Sequence, residues 1–74
     1  ALPGGIGTLD ELAETYCLAK MGLYKGRLIA FNVGGFFEPF KKQLDMFVET
    51  GMLDKESREL IAFPKSVQEL IKLL

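Results

Sequence analysis

Histidine is absent from this chain of 74 residues, and cysteine occurs once, as Cys17. Without an imidazole there is no Ser-His or Cys-His nucleophile pair, and most transition-metal sites lose their usual donors. A lone cysteine forms no internal disulfide, which fits a reducing, cytoplasmic setting. Long apolar runs are missing as well. None approaches the roughly 18 residues that a membrane-spanning helix requires, and no secretory leader is visible. Charge of either sign is not in excess: nine Lys and Arg stand against ten Asp and Glu, for a formal net charge of −1 and a pI near 5.3. That balance leaves no electrostatic footprint for nucleic acid.

Hydrophobic residues make up 49% of the chain and charged residues 26%, the balance of an ordinary globular protein. This length admits one small domain, with a core near the lower limit for independent stability.

The most informative stretch is Pro3-Gly4-Gly5-Ile6-Gly7-Thr8-Leu9-Asp10-Glu11. Its glycines let the backbone bend tightly and approach a ligand closely, because no Cβ intervenes. Thr8 reads as the N-cap of a helix, and unfilled N–H groups at such a start can receive a phosphate or another anion. The stretch is not a Walker A loop, since no lysine precedes Thr8, and a dinucleotide pattern begun at Gly5 would place its last glycine on Asp10. A simpler reading competes. Thr8 and Glu11 have the spacing of a capping box, and Asp10, Glu11 and Glu14 would complement the positive end of the helix dipole. Two features go beyond a cap. Three glycines cost conformational entropy that a cap does not require, and a loop built only for phosphate gains nothing from a carboxylate in the next turn. The combination suits an anion seat with an acid or base beside it.

In chain order, Ala1-Leu2 reads as the last residues of a strand whose beginning lies outside this chain. Leu9, Leu12, Ala13, Tyr16 and Ala19 or Lys20 follow helical spacing, predicting a helix from about Leu9 to Met21 with Gly22 as its stop. Cys17 lies next to that apolar face and reads as a buried, inert thiol. Lys25-Gly26-Arg27 reads as a solvated turn. Leu28 to Val33 is a nearly continuous apolar run, suited to a parallel strand and ended by Gly34-Gly35. If this strand is parallel to the one ending at Leu2, both glycine turns lie on the carboxyl edge of the sheet, where open α/β sheets bind ligands. Asn32 and Gly34-Gly35 would then border one pocket, although a plain tight turn explains the glycines equally well.

Glu38-Pro39 opens the next helix, with Phe40, Leu44, Phe47 and Val48 at helical spacing and Gly51 at its C′ position. Asp54 is placed to cap a short helix reaching Glu59. Leu60 to Phe63 reads as another parallel strand stopped by Pro64. Ser66 to Glu69 is a second capping box, opening a helix with Val67, Leu70, Ile71 and Leu74 on one face. Alternation of this kind indicates an α/β fold: the C-terminal half of a Rossmann-like parallel sheet flanked by helices, with residues 1–74 forming a single partial domain.

The nine-residue motif is similar to the PGGxGTxxE motif of the LOG family, the cytokinin riboside 5′-monophosphate phosphoribohydrolases, which also carry the description lysine decarboxylase. Leu12 to Leu23 resembles that family's next helix, Ile29 to Phe37 its N-V-x-G-[YF]-[YF] strand and turn, and Gly51-Met52-Leu53 and the terminal helix keep register. The likeness covers essentially the whole chain. It implies hydrolysis of the N-glycosidic bond of a nucleoside 5′-monophosphate, releasing free base and ribose 5-phosphate. It further implies Gly4, Gly5, Ile6, Gly7 and Thr8 as the phosphate site, Glu11 as the catalytic carboxylate, and no cofactor or metal. Partners implied are the nucleotide and further copies of the protein, as a homodimer or larger, with Tyr16, Met21 and Leu23 partly buried between subunits. Nucleic acid and membrane are not among them. The family's active site also takes an arginine from an upstream M-x-x-R-K segment, which does not occur in these residues, so this chain alone is expected to be inactive. Two other readings stand beside the enzyme: a non-catalytic nucleotide- or molybdenum-cofactor-binding module of the same fold, and a fragment inactive without its N-terminal half.

Overall fold

β1 (Leu28–Ile29) lies between two other segments of the chain, and its alternating amides explain how. Successive residues of a strand point their N–H groups to opposite neighbours. Leu28, Ala30 and Asn32 donate to the carbonyls of Leu60, Ala62 and Pro64, at 3.3, 2.9 and 2.8 Å. On the other edge, Phe31 donates to the Ala1 carbonyl at 2.8 Å, and the Ala1 amino group donates to the Ile29 carbonyl. The first of these rows pairs β1 in parallel with β2 (Ile61–Ala62), with Leu28 opposite Ile61 and Ile29 opposite Ala62. The second places Ala1 in parallel register beside Ala30, as a strand end there requires. The computed structural model describes residues 1–23 and 28–74; the Lys25-Gly26-Arg27 turn lies outside the described residues.

The chain is thus mixed α/β, with a two-stranded parallel sheet and four helices among the described residues. α1 (Ile6–Lys20) precedes β1, while α2 (Glu38–Glu49) and α3 (Lys55–Arg58) connect β1 to β2, and α4 (Val67–Leu73) follows. The regular part of β1 is shorter than the apolar run predicts, and further on the backbone turns at Val33–Gly35 in a short 3-10 segment with Gly34 and Gly35 both at positive φ. The pairing bonds nevertheless continue to Asn32.

Both long helices stop where glycine was expected to stop them. Gly22 donates to Ala19 and Leu23 to Leu18, at 3.0 and 2.9 Å; Gly51 donates to Val48 and Met52 to Phe47, at 3.2 and 2.8 Å. Each pair of bonds is a Schellman motif, which satisfies carbonyls that the helix end leaves open. Asp54 caps α3, accepting from the Ser57 amide.

The core lies on one face of the sheet. Leu12, Tyr16 and Ala19, spaced i, i+4, i+7 along α1, meet Leu28 of β1, Ala30 just beyond it, Ile61 of β2 and Leu44 of α2. Polar ties run through and around it. The Tyr16 hydroxyl donates to the Ser57 carbonyl at 2.6 Å, and burial pushes its pKa above the usual tyrosine value. Arg58 donates through Nε to Asp45 at 2.7 Å and lies 5.3 Å from the Phe63 ring centroid, joining α2, α3 and the end of β2.

Two sequence expectations need correction here. Cys17 is exposed: it sits about 100° around the helix from Tyr16, outside the stripe that Leu12, Tyr16 and Ala19 define. Tyr16 is buried inside this chain rather than available to a second subunit, whereas Met21 and Leu23 are exposed. The predicted face of α4 packs only in part. Leu70 is half-buried, but Val67, Ile71 and Leu74 are exposed.

Candidate functional site

The start of α1 is set by where the sheet releases the chain. Ala1 makes the last sheet bonds on this edge, and the chain from Leu2 onward is free to turn. Gly5, with extended backbone angles, is the N-cap, and the helix begins at Ile6. Thr8 is therefore the third helical residue and not the cap, which corrects the sequence reading. Its N–H donates to the Gly5 carbonyl at 3.1 Å, so Glu11 cannot return to it and no capping box forms.

This start leaves donors open. Among the described residues, the N–H groups of Gly4, Gly5, Ile6 and Gly7 reach no carbonyl, and no side chain caps the helix. Nor does an acidic side chain occupy the first turn. The positive end of the helix dipole is left without a compensating charge of its own. Space above the loop is open too: a Cβ built on Gly5 or Gly7 meets nothing within 4 Å. Gly4 differs, since a Cβ there would lie 2.3 Å from the Thr8 hydroxyl oxygen.

Two cavities flank this helix start and share Thr8. The first, about 470 Å³, is bordered by Leu2 and Pro3, by Thr8, Glu11 and Thr15 of α1, and by Ile29. Glu11 is exposed, and only its backbone is engaged, its carbonyl accepting from the Thr15 hydroxyl at 2.9 Å. Among the described residues its carboxylate has no hydrogen-bond or ion-pair partner. The second cavity, about 440 Å³, lies between Gly4, Gly5 and Ile6 and the ring-bearing residues Phe36, Phe37 and Phe40. Both volumes fall within the range of small-molecule sites.

The structure thus gathers Gly4, Gly5, Ile6 and Thr8 on one cavity, and Thr8 with Glu11 on the other. Gly7 borders neither but carries one of the open amides. Asn32 does not border them either. It is fully buried and spends its side chain on the turn, accepting from the Phe37 N–H at 2.7 Å and donating to Glu38 at 3.0 Å. Gly34 and Gly35 form the turn, both at positive φ, and border neither cavity. Phe36, Phe37 and Phe40 were given no site role from sequence. The signal was Phe36-Phe37 directly after the glycine pair, because the same carboxyl edge carries both turns. No group of three or more His, Cys, Asp or Glu residues among those described is placed to hold a metal ion, and no helix among them is long and apolar enough to cross a membrane.

Comparison with known proteins bears directly on this loop. A family model described as possible lysine decarboxylase matches residues 1–74. The cytokinin riboside 5'-monophosphate phosphoribohydrolase LOG of Oryza sativa subsp. japonica is 39% identical over 71 residues, covering 96% of this chain and 29% of the relative. Its namesake LOG3 of Arabidopsis thaliana is 36% identical over 74 residues, covering 100% of this chain and 34% of the relative. LOG1 of the same plant is also 36% identical, with 35% of its length covered. The chain spans about a third of the length of these curated relatives. With the match running from the first residue to the last, the chain belongs to the family described as possible lysine decarboxylase, the LOG family.

Proposed function

We propose that this chain supplies the phosphate seat and the catalytic carboxylate of a nucleoside 5′-monophosphate phosphoribohydrolase. The observation that carries the reading is the start of α1, where the N–H groups of Gly4 to Gly7 reach no carbonyl, the space beside Gly5 and Gly7 is open, and a glutamate whose carboxylate has no partner among the described residues follows one turn later. The amides of Gly4 to Gly7 and the Thr8 hydroxyl hold the 5′-phosphate. The Thr8 amide contributes nothing, being spent on Gly5. Glu11, about 4.5 Å further along the helix axis than Thr8, faces the ribose.

The chemistry follows from the charge that develops. As the bond from C1′ to the base nitrogen breaks, its electron pair leaves with the base and the sugar acquires oxocarbenium character. A fixed carboxylate stabilises that cation and orients a water. The water oxygen bonds to C1′; one of its protons goes to the departing base, and the products are free base and ribose 5-phosphate. The names of the relatives support a cytokinin riboside 5′-monophosphate as the substrate class.

The absence of a cap role for Glu11 favours this enzyme over a non-catalytic binding module. A carboxylate one turn from bound phosphate opposes anion binding and has no structural task that offsets the cost. We further propose that the parallel sheet is part of a larger Rossmann-like sheet, that the protein is cytoplasmic, and that exposed Met21 and Leu23 lie at or near a contact between copies.

The test is an assay of ribose 5-phosphate release from several nucleoside 5′-monophosphates, with this chain alone and with the full-length protein. Turnover by the full-length protein and none by this chain is the expected result. Nucleotide bound by the full-length protein without release of base would establish the binding module instead.

A further inference from the structure

The three loop glycines differ in what surrounds them. Gly5 and Gly7 face open space, whereas the space beside Gly4 is filled by Thr8: a Cβ on Gly4 would lie 2.3 Å from Thr8 Oγ1, 3.1 Å from its Cβ and 3.7 Å from its Cγ2. Real Cβ atoms essentially never approach a heavy atom that closely, so a side chain at position 4 would force the Thr8 hydroxyl into another rotamer or push the loop away. Gly4 is not at positive φ, so its backbone angles do not demand glycine. The demand comes from Thr8. Among the described residues, Thr8 in turn is the one bordering both cavities, and it is half-buried.

We infer that Gly4 is a positioning residue, acting through Thr8: it provides the clearance that seats the Thr8 hydroxyl beside the open amides, while Gly5 and Gly7 provide the clearance for the ligand itself. This rests on the phosphate-seat reading above and adds a division of labour within it. Gly4 and Thr8 form one unit, so their effects on phosphate affinity are coupled. The effects of Gly5 and Thr8 are independent.

A double-mutant cycle in the full-length protein separates these roles, with AMP as the probe and calorimetric affinity as the readout; thermal unfolding is followed on the same preparations. Thr8→Ala removes a hydroxyl donor to a charged group and should weaken AMP binding about tenfold or more. Gly4→Ala should weaken it by a similar factor. The double variant G4A/T8A should bind at most slightly worse than T8A, since removing the hydroxyl removes the 2.3 Å collision and leaves only the 3.1 Å contact with the Cβ of residue 8. The control pair G5A and T8A should multiply. Multiplying effects of G4A and T8A would overturn the inference while leaving the seat intact. Failure of the parental protein to bind AMP would overturn the seat and the inference together. If G4A alone does not fold, the cycle is read in folding: recovery of the folded state in G4A/T8A supports the coupling, and equal failure of both variants overturns it.

Discussion

Two helices of this chain carry the same pattern at their start, a hydroxyl residue followed three positions later by glutamate, yet they begin in different ways. At α4, Ser66 is the N-cap and accepts from the Glu69 N–H at 3.2 Å, while the Glu69 carboxylate accepts from the Lys65 N–H at 2.5 Å. Side chains thus take two donors there, while the N–H groups of Ser66, Val67 and Gln68 reach no acceptor among the described residues. At α1, Gly5 takes the cap, Thr8 lies inside the first turn and the donors of Gly4 to Gly7 stay open. The difference lies in what holds the chain just before each pattern. The Pro64 carbonyl still accepts from Asn32, so the sheet grips the chain until two residues before Ser66. On the α1 side the last sheet bonds are at Ala1, and the intervening glycines allow the helix to start three residues ahead of Leu9. A capping pattern caps only where the chain ahead of it is prevented from joining the helix. Where glycine frees that chain, the same letters fall inside the first turns and cap nothing.

The largest effect that would break this comparison concerns the seat. Gly5→Val and Gly7→Val place side chains in space that nothing in the chain occupies. The full-length variants should fold and yet lose AMP binding altogether, as measured by calorimetry. Unchanged affinity in a folded variant would show that the open amides are solvated and nothing more.

Next in size is the contrast between the two glutamates. Glu11→Gln should lower turnover on the order of a hundredfold or more, the scale of a positioned acid or base. Its folding should stay within about 1 kcal/mol of the parent, and AMP affinity should hold or rise as a negative charge near the phosphate disappears. Glu69→Gln, where the carboxylate is already engaged by the Lys65 N–H, should leave turnover unchanged. Parental turnover by the Glu11 variant would remove the carboxylate from the mechanism.

Much of this architecture was legible because it depends on neighbours in sequence. Gly22 and Gly51 stop helices, Asp54 and Ser66 start them, and Leu60 to Phe63 contains a strand, all through local hydrogen bonding and periodicity. What escaped depends on partners far along the chain. The upstream shift of α1 follows from a sheet bond between Ala1 and Phe31. The burial of Tyr16 follows from a carbonyl on Ser57. The aromatic wall of the second cavity requires two turns at one sheet edge. The loop, Thr8 and Glu11 could be named from the motif, but their division between two cavities could not, because that depends on how Phe36 and Phe37 pack beside Gly4.

A smaller effect sharpens the comparison in stability rather than in binding. Ser66→Ala removes a working cap and should destabilise the full-length protein by about 1 kcal/mol. Thr8→Ala removes no cap and exchanges a β-branched residue for a better helix former, so it should cost under about 0.5 kcal/mol. Denaturant unfolding of the two variants measures both. Equal losses would mean that Thr8 caps α1 in solution.

The smallest effect belongs to a third helix start, whose cap is charged. Asp54 accepts from the Ser57 hydroxyl at 2.6 Å and from the Ser57 N–H at 3.2 Å. These bonds favour the carboxylate, led by the hydroxyl, and hold its pKa below the ordinary value of 3.8. A lowered pKa in the folded state means that the unfolded chain binds the proton more readily. The stabilisation is therefore complete above the unfolded value and disappears as pH falls through the folded one. Asn caps about as well as Asp but carries no titrating group. Asp54→Asn should therefore leave the melting temperature near the parental value at pH 7, and should lessen its fall between pH 5 and pH 2. Because Asp54 is exposed, the difference in slope should be small, and it should shrink in high salt only as far as Coulombic attraction contributes. An acid limb identical in parent and variant would show that the Ser57 bonds do not distinguish the two protonation states, leaving α3 with a neutral kind of cap like that of α4.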